Sequence, residues 1–234
     1  MPVDRREFLA SCLVAAGLAV GKATAAPMIV APASTLRPKS ARRRVVIVGG
    51  GWGGLSAARH LRDQAPDLDV VVIERSASFW SGPLSNRWLA ALVDTRYIIH
   101  DRAPAAAKYG YELLQAEVTA VDRDRRRVLT SLGALDYDWL VLGVGIREDF
   151  GAWFGDDRAA ADAVRARYPS AWLPGEALAV LKLKLEGFAG GDLLMTLPPM
   201  PYRCPPAPYE RAVLIGWLLK SRGIKGKLLL LDPN

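Results

Sequence analysis

Arg44-Val45-Val46-Ile47-Val48-Gly49-Gly50-Gly51-Trp52-Gly53-Gly54 decides the fold of this chain. An apolar run enters a glycine turn, and the pattern beyond it predicts a helix over Leu55–Gln64. Gly49, Gly51 and Gly54 satisfy G-x-G-x-x-G. A second apolar run, Val70-Val71-Val72-Ile73, ends in Glu74, which stands 20 residues beyond Gly54. That is the spacing of an acid that accepts hydrogen bonds from a ribose. Gly49 permits the tight turn, Gly51 lets backbone approach a pyrophosphate, and Gly54 lets the helix pack close to the sheet. The helix N-terminus then faces the anion. The expected fold is α/β: a Rossmann-like dinucleotide-binding domain, followed by the start of a second one that is truncated.

The chain has 234 residues, 51% of them hydrophobic, which suffices for one large domain or two small ones and argues against global disorder. Its first residues carry a different signal. Arg5-Arg6 precede Phe8-Leu9, the apolar stretch Leu9–Val20 follows, and Ala23-Thr24-Ala25 supplies a cleavage site. This is the pattern of a twin-arginine export signal over residues 1–25, and it places the mature protein in the periplasm. The stretch is too short to remain as a membrane span, so none is expected after signal removal. Folded export agrees with a cofactor acquired in the cytoplasm. The net charge of +7 includes Arg5, Arg6 and Lys22 of the signal. The arginines at 42–44 and 123–127 read as solvated surface, and no nucleic-acid recognition module accompanies them. His60 and His100 lack companions at metal-ligand spacing, so no metal site is expected.

Residues 26–42, rich in Pro, Ala and Ser, read as a linker. Residues 43–152 read as the N-terminal part of the first nucleotide-binding domain. Within it, strands near Glu112–Gln115, Val118–Asp122 and Val128–Ser131 are expected to form a small antiparallel piece. Tyr137–Ile146 reads as a strand ending in small residues. Residues 153–234 read as an incomplete second domain with a helix over Glu176–Glu186, a strand at Asp192–Leu197, a helix over Tyr209–Ser221 and a strand at Lys227–Leu231.

The turn after Leu194-Met195-Thr196-Leu197 should carry glycines if it receives a nucleotide. It reads Pro198-Pro199-Met200-Pro201-Tyr202-Arg203-Cys204-Pro205-Pro206. Prolines fix the backbone and remove N–H donors. A nicotinamide cofactor is therefore not expected there, and electrons must enter from another substrate. Cys204 is the one cysteine of the expected mature chain. Its plain reading is a buried free cysteine. An isolated thiol in an exported protein also invites a search for a partner.

Several blocks together resemble the flavoprotein subunit of flavocytochrome c sulfide dehydrogenase, which is related to the sulfide:quinone and disulfide oxidoreductases. They are Gly49–Gly54, Glu74, Pro83-Leu84-Ser85-Asn86, Tyr137-Asp138, Ala171-Trp172 with Gly175-Glu176, and Arg203-Cys204-Pro205-Pro206-Ala207-Pro208-Tyr209-Glu210-Arg211-Ala212. The resemblance runs from about Arg43 to Asn234. It implies FAD in the first domain, with Gly49, Gly51, Gly53, Gly54, Glu74, Arg75, Asn86, Val118 and Gly145 as cofactor-binding residues. It implies that Cys204 is catalytic and pairs with a second cysteine as a redox disulfide, that sulfide is the substrate, and that a c-type cytochrome subunit accepts the electrons.

Two departures from the family pattern shape the expectations. Gly82 stands where many relatives carry a cysteine that attaches to the flavin, so FAD is expected to be noncovalent. Family members also continue beyond the position of Asn234, bringing the second cysteine and a further flavin contact. The alternative expectation is accordingly a truncated fragment without catalysis, or a flavin-binding module without turnover. A related sulfur substrate or a quinone acceptor is the remaining variant.

Overall fold

The computed structural model describes residues 35–170 and 172–234. The expected export signal, residues 26–34 of the expected linker and Ala171 lie outside them.

β1 (Arg44–Val48), α1 (Trp52–Gln64) and β2 (Asp69–Glu74) form the opening β-α-β unit. The two strands pair in parallel, from Arg44 opposite Asp69 to Val48 opposite Ile73. Side chains alternate across the sheet. Val45, Ile47, Val70 and Val72 join Ala58 of α1 in one core cluster. Val46, Val48, Val71 and Ile73 join a second cluster with Val128, Leu135 and Tyr137. Both faces are covered, which is why these strands read as continuous apolar runs rather than alternating ones.

β3 (Ser78–Trp80) and β4 (Ile99–Asp101) pair antiparallel, with α2 (Ser85–Leu89) between them in the chain. α3 (Ala103–Tyr109) then leads into β5 (Glu112–Gln115). β6 (Val118–Asp122), β7 (Arg127–Thr130) and β8 (Gly133–Asp136) make a three-stranded antiparallel sheet, and β9 (Trp139–Leu142) returns parallel to β1. The parallel sheet has the order β5-β2-β1-β9.

Two details differ from the sequence expectation. β5 is not part of the antiparallel piece. It extends the parallel sheet beside β2, and Leu113 packs with Tyr111 on the α1 side. The third antiparallel strand is instead β8. Glycine and alanine weaken its strand signal, and the burial of Ala134 and Leu135 overrides that weakness.

The segment read as linker ends in contact with this sheet. Thr35 bridges to Ala134, and the Leu36 N–H donates to the Ala134 carbonyl at 2.8 Å. Arg44, read from the sequence as solvated surface, is fully buried because Asp69 and two backbone carbonyls meet its guanidinium. Its Nε donates to Asp69 at 2.7 Å, and its terminal nitrogens reach the carbonyls of Pro38 at 2.9 Å and Arg37 at 3.2 Å. Lys39 pairs with Asp138 at 2.5 Å. Residues 35–39 are thus strapped across the starts of β2 and β9.

α4 (Gly151–Phe154), α5 (Arg158–Arg167) and α6 (Glu176–Glu186) precede β10 (Gly191–Thr196), α7 (Ala207–Ser221) and β11 (Gly226–Leu231). β10 and β11 pair in parallel. Leu178, Leu185, Ile215, Leu218 and Leu219 form a core with Trp88 and Leu89 of the α2 region and with Ile98. One face of β10–β11 meets this core through Leu193 and Leu228, whereas Leu194, Leu229 and Leu231 are exposed.

Candidate nucleotide and thiol sites

The glycine turn is shaped by close backbone contact. Gly49 has φ +104°, and a Cβ there would stand 2.3 Å from the Gly143 carbonyl oxygen. A Cβ on Gly54 would stand 1.8 Å from the Gly49 carbonyl oxygen. Gly143, after β9, approaches Gly54 from the other side and donates its N–H to Val48 at 2.8 Å. β1, α1 and β9 therefore meet at three glycines. Gly51 and Gly53 differ: a Cβ at either would meet nothing within 4 Å. Gly51 caps α1, no side chain bonds the cap, and the first turn holds no acid. The free N–H groups of that turn form a ready anion site.

Glu74, at the end of β2, turns toward this site. Its Oε2 accepts the Gly50 N–H at 2.7 Å, and its Oε1 accepts the Ser76 N–H at 2.8 Å. Burial raises the pKa of the carboxyl. The bonds from Ser76 and Gly50, with the charge of Arg102, outweigh burial and hold it below its ordinary value of 4.5. Arg102 is 5% exposed and donates to the Gly50 carbonyl at 2.8 Å and the Ser76 carbonyl at 2.7 Å. Arg102 has no role in the sequence-based expectations. An arginine that serves backbone carbonyls leaves no spacing motif. Gly143 likewise has no role there, although it falls among the small residues that end the strand read at Tyr137–Ile146.

The other expected cofactor residues are distributed over several elements. Arg75 is exposed and pairs with Glu117 at 3.7 Å. Val118 begins β6 and packs on the core that backs β1 and β2. Gly145 follows β9 with φ +73° and open space around it. Trp52 is 60% exposed at the start of α1 and meets the edge of Phe79, with ring centroids 5.2 Å apart. Asn86 is not free to present its amide: it is buried between α2 and α7. Its Nδ2 donates to Glu210 at 2.6 Å and to the Ala207 carbonyl at 3.2 Å, and its Oδ1 accepts from Arg211 Nε at 2.8 Å.

Asn86 thereby ties the first half of the chain to the cysteine turn. Cys204 is exposed rather than buried, with φ +56°, and its carbonyl accepts the Ala207 N–H at 2.9 Å. Prolines on both sides frame it, and Pro206 caps α7. Arg211, 2% exposed, is the hub beneath. It bonds Asn86, donates to the Ser170 carbonyl at 3.2 Å, and its guanidinium carbon lies 3.5 Å from the Trp172 ring centroid. Burial draws its pKa down to about 10, against the pull of Glu148 and Glu210. Glu148 accepts the Ser170 hydroxyl. Asn86 of the block at 83–86, Trp172, and Ala207, Glu210 and Arg211 of the block at 203–212 thus converge on one network.

An open, mainly apolar cleft of about 780 Å³ lies at the carboxyl ends of β10 and β11, lined by Trp153, Phe154, Leu197, Pro199, Leu231 and Pro233 among others. A nucleotide turn would face this place. The prolines here leave few N–H donors to meet a phosphate.

The residues at the glycine turn fit FAD: an uncapped helix start, open space at Gly51 and Gly53, and a carboxylate on the next strand. Comparison with known proteins agrees. Residues 178–234 match the family described as sulfide dehydrogenase (flavocytochrome c) flavoprotein chain, central. The sulfide-quinone reductase of Aquifex aeolicus (strain VF5) is 28% identical over 189 residues, covering 80% of this chain and 41% of that protein. The crystal structure of the Aquifex aeolicus sulfide:quinone oxidoreductase is similar with a TM-score of 0.62 at 26% identity, over 81% of this chain and 43% of that one. The putidaredoxin reductase–putidaredoxin complex shares the fold, with a TM-score of 0.61 at 23% identity, over 82% of this chain and 43% of that one. The chain spans about two-fifths of the length of these relatives. Residues 43–160, half of the chain, match the family described as pyridine nucleotide-disulphide oxidoreductase, and to that family this chain belongs.

Proposed function

We propose that this chain is the flavin-binding and sulfur-handling part of an FAD-dependent oxidoreductase that oxidises sulfide or a related sulfur compound. In this reading a c-type cytochrome receives the electrons. The observation that carries it is the tie between the first half of the chain and the cysteine turn: Asn86, in α2, bonds the first turn of the helix that follows Cys204. The match at residues 178–234 supports the cytochrome-linked class.

The roles divide by chemistry. The first turn of α1 holds the diphosphate of FAD, and Glu74 holds the adenosine ribose. With Gly82 in place of a linking cysteine, the flavin is held without a covalent bond. Bound FAD supplies an acceptor for two electrons. Oxidation of hydrosulfide to zero-valent sulfur releases two electrons and one proton. Cys204 receives the sulfur. The family resemblance implies a disulfide between Cys204 and a second cysteine. Attack by hydrosulfide would open that S–S bond and leave one persulfide and one thiolate, with no further reactant. Cys204 is solvent-accessible and so open to a small anion.

The location follows from the leader. Arg5-Arg6 with the apolar stretch behind them support export by the twin-arginine route to the periplasm, with FAD loaded beforehand. Among the described residues no helix is long and apolar enough to cross a membrane.

The test uses the full-length protein. Denaturation should release about one FAD per chain, sulfide should drive reduction of a c-type cytochrome, and Cys204→Ser should abolish it. A full-length protein that binds no flavin overturns the reading. A second reading, reduction of a quinone, is favoured by the similarity to the sulfide-quinone reductase. Faster turnover with a short-chain ubiquinone than with cytochrome would select it. Stoichiometric FAD without turnover on either acceptor would instead select a flavin-binding module.

A further inference from the structure

We propose that Arg102 is a positioning residue for the ADP half of the dinucleotide: it fixes the Gly50 carbonyl and, with Glu74, sets the direction of the N–H donors in the glycine turn. The proposal rests on the flavin-binding reading above.

The geometry is a clamp on one residue. Glu74 accepts the Gly50 N–H, and Arg102 Nε donates to the Gly50 carbonyl. Both polar groups of Gly50 are therefore held from the protein side. A trans peptide points its N–H opposite to its C=O. With the Gly50 carbonyl drawn onto the guanidinium, the Gly51 N–H is turned away from it, at the cap of α1. Open space surrounds Gly51 at that point. The second nitrogen of the fork, Nη1, donates to the Ser76 carbonyl and fixes the loop that leaves Glu74. The guanidinium carbon also lies 5.8 Å from the Phe79 ring centroid, and Phe79 takes the edge of Trp52. One planar cation thus joins the turn, the end of β2 and β3. A Cβ at Gly50 would stand 2.9 Å from both Arg102 Nε and Glu74 Cβ, so the clamp is closed tightly around a glycine.

Arg102 acts on Glu74 through charge as well. Its guanidinium helps keep the carboxylate ionised. Asp101 and Tyr111 are the other titratable groups that act on Arg102, and Arg75 pairs with Glu117. Lysine at position 102 would keep a charge but not the fork that reaches two carbonyls at once.

The experiment measures FAD and ADP affinity for flavin-free protein across pH, using flavin fluorescence and ADP competition. Wild-type affinity should fall on acidification as Glu74 takes a proton. Arg102→Met should weaken both ligands by roughly tenfold or more, from the loss of charge-assisted bonds that hold the turn. Its acid limb should also move toward neutral pH, a change that mere loosening of the fold would not produce. Arg102→Lys should weaken binding while leaving the acid limb near its wild-type position. Unchanged affinity in Arg102→Lys overturns the proposal, and this variant carries the test if Arg102→Met fails to fold. A folded Arg102→Met with wild-type affinity and an unmoved limb overturns it equally. Absence of FAD binding by the wild type would instead overturn the flavoprotein reading.

Discussion

The chain builds the same device twice and finishes it in two ways. β1 runs into a glycine turn and α1; β10 runs into a proline turn and α7. In the first, every residue of β1 is buried and glycines let backbones touch. In the second, β10 and β11 are covered on one face only, and the turn carries Cys204 in place of free N–H donors. The lesson is that parallel β-α-β geometry is a scaffold, and the turn residues decide what stands at its carboxyl end. Glycine exposes backbone to an anion. Proline hides backbone and displays a side chain.

One substitution tests the glycine turn at its sharpest. Gly54→Ala places a Cβ against the Gly49 carbonyl, a backbone atom that cannot rotate aside. We expect a loss of about 3 kcal/mol or more in urea unfolding, at the upper end for overpacked sites. A tolerated alanine would mean that the turn is not held by backbone contact. Next in size is the contrast between the two sheets. Ile47→Ala, at a fully buried position, should cost about 2–5 kcal/mol, whereas Leu194→Ala, 61% exposed, should stay within about 0.5 kcal/mol. Equal losses would show that the second sheet is as enclosed as the first.

The glycine turn should also respond to pH, through Glu74. Glu74 has a folded pKa held below 4.5, so its contribution to stability is present above that value. It is lost as pH falls through the folded pKa. Wild type should therefore lose stability more steeply than Glu74→Gln below about pH 4.5, and the gap between them should narrow. Parallel curves for the two proteins would remove Glu74 from the turn. The smallest effect belongs to α7. Gly216 is in the helix interior with open space at its Cβ position, so Gly216→Ala should gain about 0.5–1 kcal/mol in a thermal melt. A loss there would reveal a neighbour that α7 packs against.

Much of this was legible where chemistry follows chain order. The strand Val45–Val48, the glycine spacing, Glu74 and the helix Glu176–Glu186 all follow from local pattern. The proline turn announced itself by what it cannot do. What stayed hidden depends on residues distant in sequence. β3 and β4 are three residues each, too short to show alternation. β5 has the same local pattern in a parallel or an antiparallel sheet, and only its partner decides. Arg102 and Arg211 look like surface charges in the sequence. Each is buried because carbonyls from other segments converge on its guanidinium. Asn86 carried a family role at the cofactor, and the structure gives it bonds to the cysteine helix that no spacing rule states.

The strap at residues 35–39 has a temporal meaning. Lys39 and Asp138 are separated by 99 positions, and the Arg44 N–H reaches the same aspartate across 94. A ribosome releases the strap long before it releases its anchor. Until Asp138 arrives, Lys39 and the Arg44 N–H have no partner at the start of β9, and long-range closure of this kind is slow. Docking of the strap thus marks the moment when the first sheet is whole. In the folded export proposed above, a loose stretch behind the signal would distinguish an unfinished molecule from a finished one.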